Sequence, residues 1–422
     1  MVKELIKFMD ESPTAFGAVN SIRNMLVENG YKQLDERKIV KGNKYFVTRN
    51  DSSIIAFNVG KKLKDPALHI CASHTDCPTM KLKPNPIIEG KYGCRLNVEQ
   101  YGGMLTRAWF DRPLSLAGRV IINNKDSLIS KVYIDKEPFC IIPSMAPHLK
   151  HELEDKKADI AIDLVPVISL QDKYDFYNYL SKKLKVKKED IMGFDLYLYP
   201  LDKGYVWGDK KEFFTIGHID NLECAYTTLM GFIDNFNDDN INLYASFDNE
   251  EVGSLTRQGA DSDFLYQTLI RICNDLSLDY QSLVDHGMML SCDNAHGVHP
   301  NHPELYDLNN GPVLNGGVVI KYNARQSYCT DSLSAALLKT ILNTNKIPYQ
   351  EYANKTGIRG GGTLGNLSNR HVSILSVDIG LAQWAMHSPV ETAGVKDVEY
   401  MIKTIKHFYK RHLIVKGDKY QI

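Results

Sequence analysis

Beyond about Gly208 the sequence alternates in a way that leaves few folds open. A helix-like segment, "NLECAYTTLMGFIDNF", is followed by an apolar run from Asn242, a helical pattern near 262–274 and a second apolar run, "GMMLSCD". Then come a helix, "SLSAALLKTILN", a strand, "VSILSVD", and a terminal helix from about Val395. Strands separated by helices of about 10–15 residues cannot pair as hairpins and need crossovers, so a mostly parallel, doubly wound α/β sheet with helices on both faces is expected. The apolar runs "SIIAFNV" and "ALHICASHTD" near the N-terminus have the same texture. Between Pro84 and Gly208 the texture changes to short alternating strands such as "RAWFD" and "LAGRVII", punctuated by Pro and Gly. The expectation is a discontinuous main domain, 1–85 plus 208–422, carrying an inserted β-rich domain at 86–207.

Composition narrows the partners. A formal net charge of -1 argues against nucleic acid. No apolar run reaches the length of a membrane span, so none is expected. The opening "MVKELIKFMDESPTAFGAV" places Lys3, Glu4, Lys7, Asp10 and Glu11 within its apolar pattern, which describes an amphipathic helix and not a signal peptide. The 8 cysteines stand singly, without zinc-ribbon spacing, as expected for buried thiols in a reducing cytoplasm. The basic run "SKKLKVKKEDI" reads as a solvated helix end.

Ligands of a doubly wound sheet gather beyond the carboxyl ends of its strands. There the sequence places His74 after "ALHICAS", Asp220 after "FFTIGHI", Glu250 and Glu251 after "NLYASFDN", and Asp293 after "MMLSC". His387, in "WAMHSPVE", falls in the loop between the last strand and the terminal helix. Singly, each has a plain structural reading, since Asp220 could cap a helix and Glu251 could be a first-turn acid. Together, two imidazoles and three carboxylates are a ligand set for a zinc-like ion, and carboxylates so crowded would repel without cations between them.

Asp76, two residues beyond His74, is placed to orient the imidazole as a carboxylate partner of its far ring nitrogen. Two cations in one cleft need a shared carboxylate, and Asp220 is the candidate bridge. In an extended chain, Glu250 and Glu251 would point to opposite sides, so one is expected to hold metal and the other to face the attacking water as general base. That chemistry is metal-assisted amide hydrolysis.

With these residues in place, the chain resembles the aspartyl aminopeptidase family of cocatalytic zinc metallopeptidases nearly end to end. The motifs, in family order, are "ESPTAFGAV", "ASHTDCPTMKLKP", "HIDNLECAY", "FDNEEVGS", "SCDNAHGVHPNHPE", "VIKYNARQSY" and "LAQWAMHS". The resemblance implies two divalent ions, Zn2+ with Co2+ or Mn2+ as alternatives. One would be held by His74, Asp220 and Asp293, the other by Asp220, Glu251 and His387, with Glu250 as base. It implies that the insert is a dimerisation domain and that dimers build a tetrahedral dodecamer. It further implies that His148, in "PSMAPHLKH", reaches a neighbouring subunit's site to steady the tetrahedral intermediate. Lys321 would recognise an acidic substrate side chain, with Tyr328 beside it in the pocket.

The sequence departs from that family in His218-Ile219 before Asp220, where Arg-Leu is frequent, and in a short loop after Asp293. A broader aminopeptidase specificity therefore stays open beside the acidic one. A cocatalytic-zinc deacylase or carboxypeptidase, and a non-catalytic shell-forming scaffold, are the further alternatives. The spacing His296, His299, His302 invites a third metal site, but Pro300 and Pro303 forbid the helix that would align the rings. "IRGGGTLG" lacks the Lys-Ser/Thr of a phosphate cradle and reads as a tight turn or a backbone approach to peptide. Cys224 and Cys292 read as packed thiols.

Overall fold

Successive residues of the run Ala67–His74 face opposite sides, and both sides are apolar. Ala67 and Cys71 join one core, and Leu68, Ile70 and Ala72 join the other. A strand buried on both faces must lie inside a sheet covered by helices on each side. The computed structural model, which describes residues 1–35, 38–149, 158–358 and 360–422, places it there. Lys150 and His151 of "PSMAPHLKH" and Arg359 of "IRGGGTLG" lie outside the described residues.

The main sheet has nine strands. In spatial order they are Lys32–Gln33, Lys44–Arg49, Ser53–Val59, Asn240–Phe247, Ala67–His74, Gly287–Cys292, Leu375–Gly380, Val318–Tyr322 and Tyr349–Ala353. Five neighbouring pairs are parallel, while Ser53–Val59 runs antiparallel to both of its neighbours and Val318–Tyr322 to one. The helices Ile219–Ile233, Ser332–Thr344 and Val395–Lys410 cover one face, and Phe264–Leu276, Tyr280–Asp285 and Leu364–Asn369 the other. The opening helix Val2–Asp10 is amphipathic and buries Leu5, Phe8 and Met9 on the first face.

Among the described residues, two smaller sheets and a terminal hairpin, Ile414–Lys416 with Lys419–Gln421, complete the frame. A six-stranded antiparallel sheet, drawn from residues 79–200, has its own core around Leu96, Trp109, Leu116 and Leu198. Its first strand, Thr79–Ile88, runs through residue 85 without a break. Tyr205–Trp207 pairs outside this sheet, with Phe213–Ile216 in a five-stranded sheet that also holds Glu391–Gly394, Ala382–Trp384 and Ala295–His296. "RAWFD" is not a strand. Thr106–Trp109 forms a 3-10 turn that drives Trp109 into the core, and Asp111 adopts the left-handed region at φ 58, which ends any extended run.

Candidate metal centre

Three adjacent parallel strands end together at the same edge. Register pairs Phe247 with His74 and Ser291 with Ala72, so His74, the loop at Glu250 and Asp293 emerge side by side. Close approach there requires glycine at 380, where a Cβ would lie 1.9 Å from the Asp293 carbonyl oxygen.

Asp220 and His387 arrive by another route. Asp220 does not end a strand of the main sheet, since Phe213–Ile216 belongs to the five-stranded sheet and Asp220 sits in the first turn of Ile219–Ile233 with non-helical backbone. Asn221, joined to it by a cis peptide, donates its side-chain amide to the Cys292 carbonyl at 2.8 Å, fastening this turn to the end of the neighbouring strand. His387 does not lie between the last strand and the terminal helix. It sits in the loop joining Ala382–Trp384 to Glu391–Gly394, which the sequence pattern merged into one connection because both strands are so short.

These routes converge on one cluster. His74 Nε2 faces Asp220 Oδ1 at 3.5 Å and Asp293 Oδ1 at 3.6 Å. His387 Nε2 faces Asp220 Oδ2 and Glu251 Oε2, each at 3.4 Å. Both imidazoles are turned by their far nitrogens. His74 Nδ1 donates to the Asp76 carbonyl oxygen at 3.0 Å, with Asp76 Oδ1 at 3.3 Å, and His387 Nδ1 donates to the Gly103 carbonyl at 2.9 Å. A carbonyl can only accept, so each Nδ1 carries hydrogen and each Nε2 is turned towards the cleft, the nitrogen that would ligate a metal once its proton is displaced.

Glu250 and Glu251 are not extended. They form a 3-10 turn, Glu250–Val252, entered through Asn249 at φ 63. Asp76 accepts both their backbone N–H groups, at 3.1 Å and 3.2 Å. Its carboxylate also accepts the Tyr101 hydroxyl at 2.7 Å, and Tyr101 accepts from Asn249 Nδ2 at 2.9 Å. The two side chains still part company: Glu251 Oε2 lies by His387, whereas Glu250 Oε2 lies 4.0 Å from His74 Nε2.

Among the described residues, three groups of three donors each lie within 4.8 Å: His74, Asp220, Asp293; Asp220, Glu251, His387; and His74, Glu250, Glu251. Asp220 Oδ1 and Glu251 Oε1 are buried without a hydrogen-bond partner. Burial pushes the Glu250 carboxyl up to about 8, with Asp293 adding to the rise, and burial and Asp220 push Glu251 well above its ordinary range. Burial works against the imidazolium of His74, yet the Asp220, Asp293 and Asp76 carboxylates overcome it and raise the pKa well above normal. His387, buried but beside Asp220 and Glu251, is raised to about 10. Without a cation these acids are accommodated only by holding protons on Glu250, Glu251 and the two imidazoles, and with two buried carboxylate oxygens left unpartnered the nitrogen and oxygen donor set fits a zinc-like ion.

Asp220, Glu250, Glu251, Asp293 and His387 of the cluster line a cleft of about 560 Å³. Lys321, Tyr328, Tyr352, His296, Thr363 and Met386 line the remainder. Lys321 is almost fully buried, and its Nζ donates to the Asp293 and Asn294 carbonyls at 2.8 Å and 3.2 Å, 5.2 Å from the centre of the Tyr328 ring. Gly361 and Gly362 of "IRGGGTLG" line the cleft with their backbone. His148 lies in an exposed turn, Pro147–Leu149, and is not among the residues lining the cleft. His299 and His302 pair ring to ring at 5.3 Å on the surface, and among the described residues neither belongs to a three-donor group. Cys224 and Cys292 are buried thiols.

One further residue was not singled out from the sequence. Glu391 is buried and accepts hydrogen bonds from the backbone N–H groups of Asp220 and His387. The available signal was slight, a lone acid opening the short run "ETAG" four positions beyond His387. Tyr101 and Asn249 carried no comparable signal.

Such donors, carried on loops at the end of a mostly parallel sheet, define a metal-dependent hydrolase. Comparison with known proteins gives the family. The chain belongs to the aminopeptidase I zinc metalloprotease family, M18, whose model matches residues 8–409. It is 39% identical over 424 residues to a "Probable M18 family aminopeptidase 2" of Clostridium acetobutylicum, covering 96% of this chain and 98% of that one. It is similar to a chain of the cryo-EM structure of the Ape4 and Nbr1 complex, with TM-score 0.92 and 33% identity, over 96% of this chain and 85% of that one. It is also similar to the S. cerevesiae mApe1 dodecamer, with TM-score 0.85 and 26% identity, over 96% and 95% of the two chains. The protein is thus a zinc metallo-aminopeptidase, a hydrolase of peptide bonds, as the motif resemblance implied.

Proposed function

We propose that the cleft holds two divalent ions sharing Asp220 and removes acidic residues from the N-termini of peptides. The observation carrying the two-ion reading is the division of Asp220, with Oδ1 towards His74 and Oδ2 towards His387. His74 and Asp293 complete one ligand set, and Glu251 and His387 the other. Bound there, the ions would polarise the scissile carbonyl and bring the pKa of a water towards neutrality.

The chain's own residues do the rest. Glu250 stands beside both sets, its backbone fixed by Asp76, and serves as the base that takes the water proton and returns it to the leaving amine. The carboxylates lining the cleft would attract the free α-amine of the substrate and so register the peptide by its first residue. Asp76 keeps His74 in the tautomer that offers Nε2.

Lys321 and Tyr328 line the same cleft and would face the first side chain. Burial lowers the Lys321 pKa, but Asp293 and its neighbours more than reverse this, so a cation is held there. A second reading, a broader aminopeptidase, draws on the same lysine, because two carbonyls already take its donors.

The six-stranded sheet, with exposed Leu128 and Ile129, would serve dimerisation. Dimers would close into a tetrahedral dodecamer, in which His148 of a neighbour could reach the cleft to steady the tetrahedral intermediate. The cytoplasm is the compartment that suits the 8 free cysteines.

The test is a panel of Asp, Glu, Leu, Lys and Ala aminoacyl substrates on zinc-reconstituted protein, with an N-acetyl peptide as control. The acidic substrates should lead in kcat/KM by roughly 10–200-fold, the scale of about 1–3 kcal/mol of pocket discrimination, and the blocked peptide should resist. Leu or Lys ahead of the acids would transfer the assignment to the broader reading. Cleavage of the blocked peptide alone would make the enzyme a deacylase.

A further inference from the structure

The loops carrying Asp220 and His387 both contain backbone that L-residues rarely adopt. His218 precedes Asp220 at φ 66, and Ala385 and His387 stand at φ 58 and φ 69. Such conformations persist only where surrounding interactions hold them. The small antiparallel sheet explains how one residue reaches both loops. Glu391 opens the strand Glu391–Gly394 directly opposite Ile216, so Asp220 lies four residues beyond one partner and His387 four residues before the other.

Glu391 uses both oxygens. Oε2 accepts from the Asp220 N–H at 3.0 Å, and Oε1 accepts from the His387 N–H at 2.8 Å and from Gln383 Nε2 at 3.2 Å. Its relative exposure is 2%, so no water substitutes for these bonds from bulk solvent. A carboxylate buried beside other carboxylates is costly unless its acceptors are fully used. Asp76 makes the matching contact with the backbones of Glu250 and Glu251.

We propose that Glu391 is a positioning residue that locks the shared ligand Asp220 and its partner His387 in register with each other. This rests on the reading that those two residues hold metal. Glu391 touches neither substrate nor, through its side chain, the proposed ions. It acts by supplying two fixed acceptors, which a neutral amide of the same size cannot do, since its NH2 would confront a backbone N–H.

The test is Glu391→Gln, with zinc affinity measured by chelator competition, steady-state kinetics, and amide hydrogen exchange on the metal-free protein. Zinc binding should weaken by about 10–100-fold, the usual effect of losing a partner that orients a ligand. kcat should fall while KM stays within about two-fold, as when ground-state binding is preserved. In the native protein the Asp220 and His387 amides should be protected, and at least one should exchange faster in the variant. Native zinc affinity together with native kcat in the variant would overturn the proposal. Rapid exchange of both amides in the native protein would overturn it as well, even were the variant not to fold. His387→Ala separates the underlying reading: undiminished zinc binding there removes the ligand assignment itself, whereas its loss beside normal binding in Glu391→Gln removes only the role of Glu391.

Discussion

Replacing Glu250 with Gln should leave the zinc content intact and lower kcat by roughly 10²–10⁴-fold, the span of general acid-base catalysis. The amide has the volume of the carboxyl but cannot accept a proton at neutral pH. The loop should not move, because the Glu250 backbone N–H is bonded to Asp76 and the turn is closed by Gly253 N–H to the Glu250 carbonyl at 3.0 Å. KM should change little, which marks an interaction needed in the transition state and not for binding. Turnover near the native rate with metal in place would remove the base assignment. Loss of metal would instead place Glu250 among the ligands, in the His74, Glu250, Glu251 group that the geometry also contains.

Asp220→Ala should have the larger structural consequence. Asp220 belongs to two of the three donor groups, so its loss leaves each proposed ion with two protein ligands, fewer than a stable catalytic zinc site uses. Peptidase activity should drop below detection and both ions should become weakly held. Stability supplies an independent sign. In native protein with zinc about 1,000-fold above its dissociation constant, each ion adds about 4 kcal/mol, so Tm should fall sharply on chelation. In Asp220→Ala the zinc-dependent shift should nearly vanish. The metal-free variant should melt below metal-free native protein, because burial works against the Asp220 carboxylate but His387 and His74 more than reverse this and hold it below its ordinary range, and both imidazoles lose that partner. A variant retaining one tightly bound ion and its thermal shift would contradict a shared ligand.

The sequence made His74 and Asp293 legible because they end strands whose apolar runs are unmistakable, and parallel register then forces them together. Glu250 and Glu251 were found for an incomplete reason. Extended geometry would separate their side chains by alternation, but the observed separation comes from a 3-10 turn after a left-handed Asn249, which short-range pattern does not announce. Asp220 and His387 were visible as residues, whereas their frame was not. The five-stranded sheet is built from strands of two to four residues, too short to show a period. Residues that act through the backbone were hardest to see. Glu391 works by accepting N–H groups from residues 171 and four positions away, and Tyr101 reaches Asp76 from a strand of another sheet. The extent of the antiparallel pairing around Ser53–Val59 was likewise hidden, because a doubly buried strand reads the same in either direction.

The central claim is that one carboxylate is shared by two ions, and anomalous diffraction at the zinc edge from crystals of the zinc-loaded protein tests it most directly. The account predicts two peaks, one among His74, Asp220 and Asp293 and the other among Asp220, Glu251 and His387, with Glu250 outside both. A single peak, or a peak coordinated by Glu250, would contradict it.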